Sequence, residues 1–119
     1  MKKLYIVKNQ RDFERIINKG NIKKSKYFIL YFENNNLQYD RFGISVGKKL
    51  GNAVFRNKYK RKIRAIIDNY KKNYINNKDC IIILKRSGIN CKFEELNDDF
   101  ITLMNKIRKE NINETKKEI

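Results

Sequence analysis

Histidine, proline and tryptophan are all absent from this chain of 119 residues. Without histidine, no side chain titrates near neutral pH at its ordinary pKa, and the commonest metal ligand of proteins is missing. Cys80 and Cys91 are the two cysteines, and their spacing does not fit a zinc finger. We therefore expect two free thiols in a reducing compartment, with Cys80 as a small buried residue of an apolar run.

Long hydrophobic segments are also missing. No stretch reaches about 18 consecutive apolar residues, so no transmembrane helix is predicted. The apolar run near the N-terminus is too short for a secretory signal, and we expect a cytoplasmic protein. The length and a hydrophobic content of 40% predict one domain over residues 1–119. Roughly five N-terminal and ten C-terminal residues are expected to be frayed.

Acidic residues are scarce, and positive charge is in excess. Lys and Arg number 29 against 13 acidic residues, which gives a net charge of +16. This excess indicates an anionic partner, with nucleic acid first and an acidic membrane surface second. Because an AT-rich genome also favours lysine, the position of the charge is more informative than its total. Residues 48–64 carry eight Lys or Arg, and no acid occurs between Asp40 and Asp68.

Local patterns predict helices and strands in the order of a small α+β sandwich. Asn9 is a favourable N-cap for a first helix that Gly20 can end. A turn at 34–36 predicts an antiparallel pair of the strands on either side, and the continuous apolar run at 80–85 predicts a strand at the centre of a sheet. In chain order we expect a helix at 9–19, a strand at 27–33, one or two strands within 37–46, a helix at 52–74, a strand at 80–85 and a helix at 93–107.

The helix at 52–74 combines an apolar face with a basic edge when its residues are placed at 100° intervals. Its apolar face is expected to hold Tyr59, Ile63, Ile66, Ile67, Tyr70 and Tyr74. Arg56, Lys60 and Arg64 form a ridge along one edge, with Asn57 and Arg61 in the next row. Like charges four residues apart destabilise an isolated helix, which favours a role in ligand binding over a merely solvated face. Guanidinium groups suit phosphate oxygens.

Three glycines precede this helix at positions 43, 47 and 51. Such a turn lets the backbone come close to a phosphate and leaves helix N-terminal amides free. The segment does not match a P-loop, because no Gly-Lys-Ser/Thr follows. Ordinary turn chemistry explains the glycines almost as well.

The stretch FGISVGKKLGNAVFRNKYKRKIRAI, residues 42–66, resembles the signature of the bacterial ribonuclease P protein subunit. That signature is a strand ending in Ser-Val-x-Lys-Lys, then Gly-Asn-Ala-Val, then a helix with the pattern R-N-R-x-K-R-x-x-R. Lys58 stands in place of its second arginine. The resemblance implies a sandwich like the second domain of ribosomal protein S5, with a left-handed βαβ crossover through the basic helix.

The resemblance also implies two sets of binding residues. The first, for a catalytic RNA, comprises Lys48, Lys49, Asn52, Arg56, Asn57, Lys58, Lys60, Arg61 and Arg64. The second is a cleft for the single-stranded 5′ leader of precursor tRNA, formed by Phe13, Ile17 and Tyr31. Ile17 stands where family members often have an aromatic residue. An aromatic residue on the apolar face of a short helix, such as Phe13, is more often a core residue than a binding residue.

No residue of the chain is expected to be catalytic. Asp98 and Asp99 project about 100° apart on a helix, so they form no carboxylate cage for metal ions. The resemblance implies that Mg²⁺ held by the RNA activates water, while the protein binds no cofactor and helps to remove the leader. Its partners would be the catalytic RNA and precursor tRNA, with no membrane and no obligate protein partner.

Three other classes remain as alternatives. A ribosomal protein would share the basic helix but needs no exposed aromatic cleft. A protein-only RNA-processing enzyme is disfavoured by the absent histidine and the scattered acids. A DNA-binding helix–turn–helix module is disfavoured because strands, not a partner helix, precede the basic helix.

Overall fold

The computed structural model describes the backbone of residues 5–7, 9–74 and 76–118, and the side chains of these residues up to 108. The elements in chain order are α1 (Gln10–Lys19), β1 (Asn21–Lys24), β2 (Phe28–Asn34), β3 (Arg41–Ser45), α2 (Ala53–Lys71), β4 (Lys78–Leu84) and α3 (Phe93–Glu118). Short 3₁₀ turns lie at Lys48–Leu50 and Arg86–Gly88. The α+β class predicted from the sequence is therefore confirmed. The N-terminal fraying predicted from the sequence falls mainly on residues 1–4, which lie outside the described residues.

The four strands form one mixed sheet in the order β1-β2-β4-β3. Strand β4 pairs antiparallel with β2 and parallel with β3, which confirms its predicted central place. The predicted antiparallel pair between the strands at 27–33 and 37–46 is wrong, because β4 lies between them. A strand that is apolar on both faces is most stable with a neighbour on each edge. Strand β1 was not predicted, since its mostly exposed residues give no alternating pattern.

One face of the sheet carries the main hydrophobic core, beneath α2 and α3. Alternate residues of β2 and β4 point into it: Phe28, Leu30, Phe32, Cys80, Ile82 and Leu84. Phe100 of α3 is fully buried and meets the rings of Phe28 and Tyr70 edge to face. Each large apolar side chain buried in this way contributes about 1.5–3 kcal/mol. This core fixes α2, whose predicted apolar residues from Tyr59 to Tyr70 are all buried.

Among the helices that the structure describes, α1 is the one that packs on the opposite face of the sheet. The Asn9 side chain accepts a hydrogen bond from the Arg11 amide, and the Gly20 amide bonds to the Ile16 carbonyl, so both predicted ends of this helix are confirmed. Ile16 packs against Val7 and Ile81 in a second, smaller cluster. Because Ile16 is the one fully buried residue of α1, this helix is held less firmly than α2 or α3.

Two helix ends differ from the predictions. Helix α2 ends at Lys71 rather than near Tyr74, because the buried carboxylate of Asp40 accepts hydrogen bonds from the amides of Asn76 and Lys78 and directs the chain into β4. The Tyr74 ring still packs on the core, with the Arg108 guanidinium 3.7 Å from its centre. Helix α3 continues to Glu118, past the predicted end at residue 107.

None of the helices described is long and apolar enough to span a bilayer.

Candidate nucleic-acid interface

The start of α2 is fixed by the two residues before it. The Asn52 side chain caps the helix by accepting a hydrogen bond from the Phe55 amide at 2.9 Å. A Cβ on Gly51 would lie 2.4 Å from Cδ1 of Phe55, so the absence of a side chain lets the ring pack there. Glycine and asparagine at these positions thus have a local cause. Because capping uses the Asn52 carbonyl oxygen, its NH₂ group is left as a hydrogen-bond donor for a ligand.

The outward face of α2 presents cations around an open depression of about 530 Å³. Its lining residues follow a spacing of three, four and three along the helix: Val54, Asn57, Arg61 and Arg64. All four are exposed, and so is Lys58 beside them. Asn57, Lys58, Arg61 and Arg64 are hereafter the basic surface. This arrangement brings two guanidinium groups and an amide together at one concave site.

The predicted ridge of Arg56, Lys60 and Arg64 is only partly formed. Arg64 is exposed, whereas Arg56 and Lys60 are half-buried. The Nε of Arg56 is buried and has no hydrogen-bond partner among the described residues. Arg56 stands seven residues before the buried Ile63, and positions seven apart share a helix face. That spacing was the signal that Arg56 lies close to the core.

Lys48 and Lys49 lie in the 3₁₀ turn that leads from β3 to α2, and both are exposed. No acid interrupts residues 41–67, so the turn and the helix form a continuous positive region. Lys62, in contrast, lies 4.8 Å from the ring centre of Tyr59, and the Tyr59 hydroxyl accepts a hydrogen bond from the Asn90 amide. The hydrogen bond from Asn90 attaches α2 to the loop before α3.

A second candidate site lies on the other face of the sheet, beside α1. Phe13, Ile17 and Tyr31 are half-buried there and belong to one apolar cluster. These three residues are hereafter the apolar cleft. The structure therefore brings together the three residues that the resemblance had selected.

The floor of the apolar cleft was not predicted from the sequence. Tyr31 lies opposite Ile22 of β1 and opposite Ile81 of β4. Ile29 and Ile83 are a neighbouring pair on the same face, and both are half-buried. Ile22 is 45% exposed. The two-residue period of β2 and β4 was the signal that could have identified these isoleucines.

Ionic contacts border α1 on its other flank. Arg15 bonds to Asp12 within the helix and to Glu33 of β2. Asp79 of β4 is buried and receives two hydrogen bonds from Arg41. Burial opposes the ionisation of Asp79, but the bonds from Arg41 and Asn35 outweigh it and hold the pKa of this carboxyl below its ordinary value.

Of the two carboxylates considered for catalysis, Asp98 and Asp99, only Asp99 makes structural hydrogen bonds to described residues. Asp99 accepts hydrogen bonds from the Ser25 hydroxyl and the Tyr27 amide, so it holds the turn between β1 and β2. Asp98 is exposed.

Burial raises the pKa of the Cys80 thiol well above its ordinary value. In the part of the chain that the structure describes, no three potential metal ligands converge.

Comparisons with known proteins agree on one family. The model of the family Ribonuclease P matches residues 1–108. The ribonuclease P protein component of Mycoplasma mycoides is 39% identical over 91% of this chain and 100% of its own length. That of Streptococcus pyogenes is 38% identical over 81% of this chain and 80% of its own.

Solved structures give the same result. The RNase P protein of Staphylococcus aureus is 36% identical and superposes with a TM-score of 0.77 over 85% of this chain and 93% of its own. The RNase P protein of Thermotoga maritima is 29% identical, with a TM-score of 0.75 over 82% of this chain and 92% of its own.

Proposed function

The chain belongs to the ribonuclease P protein family, and from this we propose that its two candidate sites bind two different RNAs. The basic surface, with Lys48, Lys49 and the adjoining residues of α2, binds the RNA subunit of ribonuclease P. The apolar cleft binds the 5′ leader of precursor tRNA. The endoribonuclease is the complex, and this chain is its protein component.

The observation that carries this proposal is the placement of the two sites on opposite faces of one sheet. Helix α2 packs on one face and the apolar cleft lies on the other. Strand β3 connects them, since it pairs with β4 beside the cleft and leads into α2 through the lysine turn. One rigid sheet can therefore hold a substrate strand at a fixed place relative to a docked RNA.

The charges of the basic surface suit an RNA backbone. Phosphate oxygens accept paired hydrogen bonds from the guanidinium groups of Arg61 and Arg64. Neutralising phosphates releases counterions, which makes binding strongly dependent on salt. Lys58 contributes a point charge where the family pattern has an arginine fork. This binding would also relieve repulsion between the catalytic RNA and its substrate.

The apolar cleft suits an unpaired strand. Exposed parts of the Phe13 and Tyr31 rings offer surfaces for base stacking, which is worth about 1–3 kcal/mol per base. Ile17 gives apolar contact without a ring, so one stacking position of the family is replaced. Bases inside a duplex cannot use such surfaces, because both of their faces are already stacked on neighbouring bases.

The chemical step belongs to the RNA subunit in this account. Mg²⁺ held by that RNA supplies the activation of water, and the protein itself holds no metal ion. The side chains of this chain bind the leader and screen phosphates. We further propose that the β3–α2–β4 crossover is left-handed, as in the second domain of ribosomal protein S5, and that the protein acts in the cytoplasm without a membrane or an obligate protein partner. The family resemblance supports both statements.

Reconstitution tests the function. The protein is combined with a bacterial ribonuclease P RNA, and cleavage of a precursor tRNA is measured at low Mg²⁺, where the RNA alone is slow. We expect faster cleavage at the mature 5′ end. A rate equal to that of the RNA alone would contradict the function. Equal stimulation by an unrelated basic ribosomal protein would show that the stimulation is only general charge neutralisation.

A further inference from the structure

Helix α1 supplies two of the three residues of the apolar cleft, yet its apolar attachment to the sheet is small. Ile16 is fully buried, while Phe13 and Ile17 are half-buried. Apolar burial alone therefore fixes the helix position less tightly than it fixes α2. The width of the cleft depends on what else holds this helix.

Arg15 makes the polar attachment. Its Nε donates to Oε1 of Glu33 at 2.8 Å, and one terminal nitrogen lies 2.7 Å from the same oxygen. The other terminal nitrogen donates to Oδ1 of Asp12 at 2.6 Å. Asp79 Oδ2 lies 3.7 Å from the guanidinium group. One side chain thus connects α1 to both β2 and β4.

The acceptors of Arg15 are themselves held in place. Asp79 is 2% exposed in its side chain and is fixed by two hydrogen bonds from Arg41 of β3 and one from Asn35. Glu33 lies within β2, directly opposite Asp79 in the register. Arg15 therefore attaches to a part of the sheet that is already ordered.

The geometry of the helix separates this attachment from the cleft. At 100° per residue, Phe13 and Ile17 lie on one side of the buried Ile16, and Arg15 with Asp12 lies on the other. A contact on the second side opposes rotation of α1 about its own axis. Such rotation would change the separation of Phe13 and Ile17 from Tyr31.

We propose that Arg15 is a positioning residue for leader binding, which fixes α1 on the sheet through Glu33 and Asp79 and so sets the apolar cleft. This inference rests on the proposed role of that cleft. Arg15 contacts no leader base and acts through the placement of Phe13 and Ile17.

The test compares Arg15→Ala with Arg11→Ala in the reconstituted complex. Both changes remove one positive charge from α1, but Arg11 is exposed and its side chain bonds to no described residue. Affinity is measured for precursor tRNAs with a long leader and with a leader of one nucleotide. The ratio of the two affinities, long leader to short leader, is hereafter the leader gain. It separates the contribution of the apolar cleft from general electrostatic attraction to the RNA.

Arg15→Ala is expected to lower the leader gain by about two- to fivefold, which lies within the range for exposed ion pairs, and Arg11→Ala to leave it unchanged. Affinity for the RNA subunit should respond equally to the two changes. Arg15→Lys, which keeps the positive charge but not the planar guanidinium group, should recover part of the leader gain. Glu33→Ala should add nothing to Arg15→Ala, since both remove one contact.

Amide hydrogen exchange supplies a second measurement. Exchange in α1 should be faster in Arg15→Ala than in the parent protein, while α2 and α3 keep their protection. Equal leader gains for the Arg15 and Arg11 variants would overturn the proposal if Tyr31→Ala lowers the gain. If Tyr31→Ala also leaves the gain unchanged, the cleft itself is wrongly assigned and the proposed leader site fails with it.

Discussion

The ring of Phe13 packs directly against the backbone of Gly43. The ring can come this close because glycine has no side chain on this face of the sheet. A Cβ built on Gly43 would come within 2.8 Å of Cε2 of Phe13 and within 2.8 Å of Cδ1 of Ile81. Gly43 is a residue of β3, paired with Ile81 of β4. The glycine therefore determines how deeply the aromatic ring of α1 settles against the sheet, and with it one wall of the apolar cleft.

Gly43→Ala should displace the Phe13 ring outward and lower the leader gain, because the added methyl group cannot fit beneath a rigid ring. We expect a loss of stability of about 1–3 kcal/mol, as for other overpacked sites. Phe13→Leu, whose side chain is smaller and can move, should recover part of this stability. Denaturant unfolding and the two-leader binding assay measure both effects.

Gly47→Ala is the matched control for stability. A Cβ at Gly47 meets no atom within 4 Å, so its free energy of unfolding should stay within about 0.5 kcal/mol of the parent. Equal losses for the two alanine variants would show that contact with Phe13 is not the cause.

The arginines of α2 should differ according to burial. Arg61→Ala and Arg64→Ala should each weaken binding to the RNA subunit and reduce the slope of log K against log salt by roughly one unit per lost phosphate contact. Arg56→Ala should in addition lower stability by about 1 kcal/mol, because its half-buried stem packs against the protein. Salt titrations and thermal unfolding separate the two effects. Equal unfolding curves for all three variants would contradict the burial assigned to Arg56.

Asp99 should matter for the fold and not for the chemistry. Asp99→Ala removes the acceptor of the Ser25 hydroxyl and the Tyr27 amide, at a cost of about 1–3 kcal/mol for donors left without partners. Asp98→Ala should be neutral because that side chain is exposed. Cleavage by the fully assembled complex should be the same for both. A rate lower by about 10²-fold or more in either variant would reveal a catalytic carboxylate.

Acid should weaken the fold through Asp79. Its pKa is lower in the folded protein than in the unfolded chain, because hydrogen bonds from Arg41 and Asn35 outweigh burial. The stabilisation is fully present above the unfolded pKa of about 3.9 and is lost as pH falls through the folded pKa. Asp79→Asn should remove this acid-dependent loss, and breaking the pair should lower stability at neutral pH by about 3 kcal/mol.

The ionisation of Asp40 changes stability in the opposite direction to that of Asp79. Burial raises the pKa of this carboxyl, so its ionised form costs stability that returns as pH falls through the folded pKa. Chemical denaturation from neutral pH to pH 3 measures both carboxyls. An Asp79→Asn variant with the same acid dependence as the parent would contradict the Asp79 assignment.

The helices were predictable from sequence because their causes are local. Asn9 and Asn52 cap the helices that they precede, as expected. Apolar residues at helical spacing identified the buried face of α2. The apolar run of β4 identified the centre of the sheet.

The remaining features depend on contacts between distant residues. The register of β3 on β4, which includes Arg41 beside Asp79, joins residues 38 apart and leaves no pattern in either strand alone. The half-buried state of Arg56 depends on how α2 lies on the core. The attachment of Arg15 to Glu33 depends on α1 crossing the sheet. The two-residue period places Ile29 on the same face of β2 as Tyr31, but which residues of β1 and β4 lie beside Tyr31 follows only from the strand register.

We propose that one small sheet holds two separate RNA-binding sites. The direct test measures two affinities for each of two variants, Tyr31→Ala and Arg61→Ala: affinity for the RNA subunit, and the leader gain of the assembled complex. We expect Tyr31→Ala to lower the leader gain and to leave RNA-subunit affinity unchanged. We expect Arg61→Ala to lower RNA-subunit affinity and to leave the leader gain unchanged. Two variants that lower both affinities in the same proportion would contradict it.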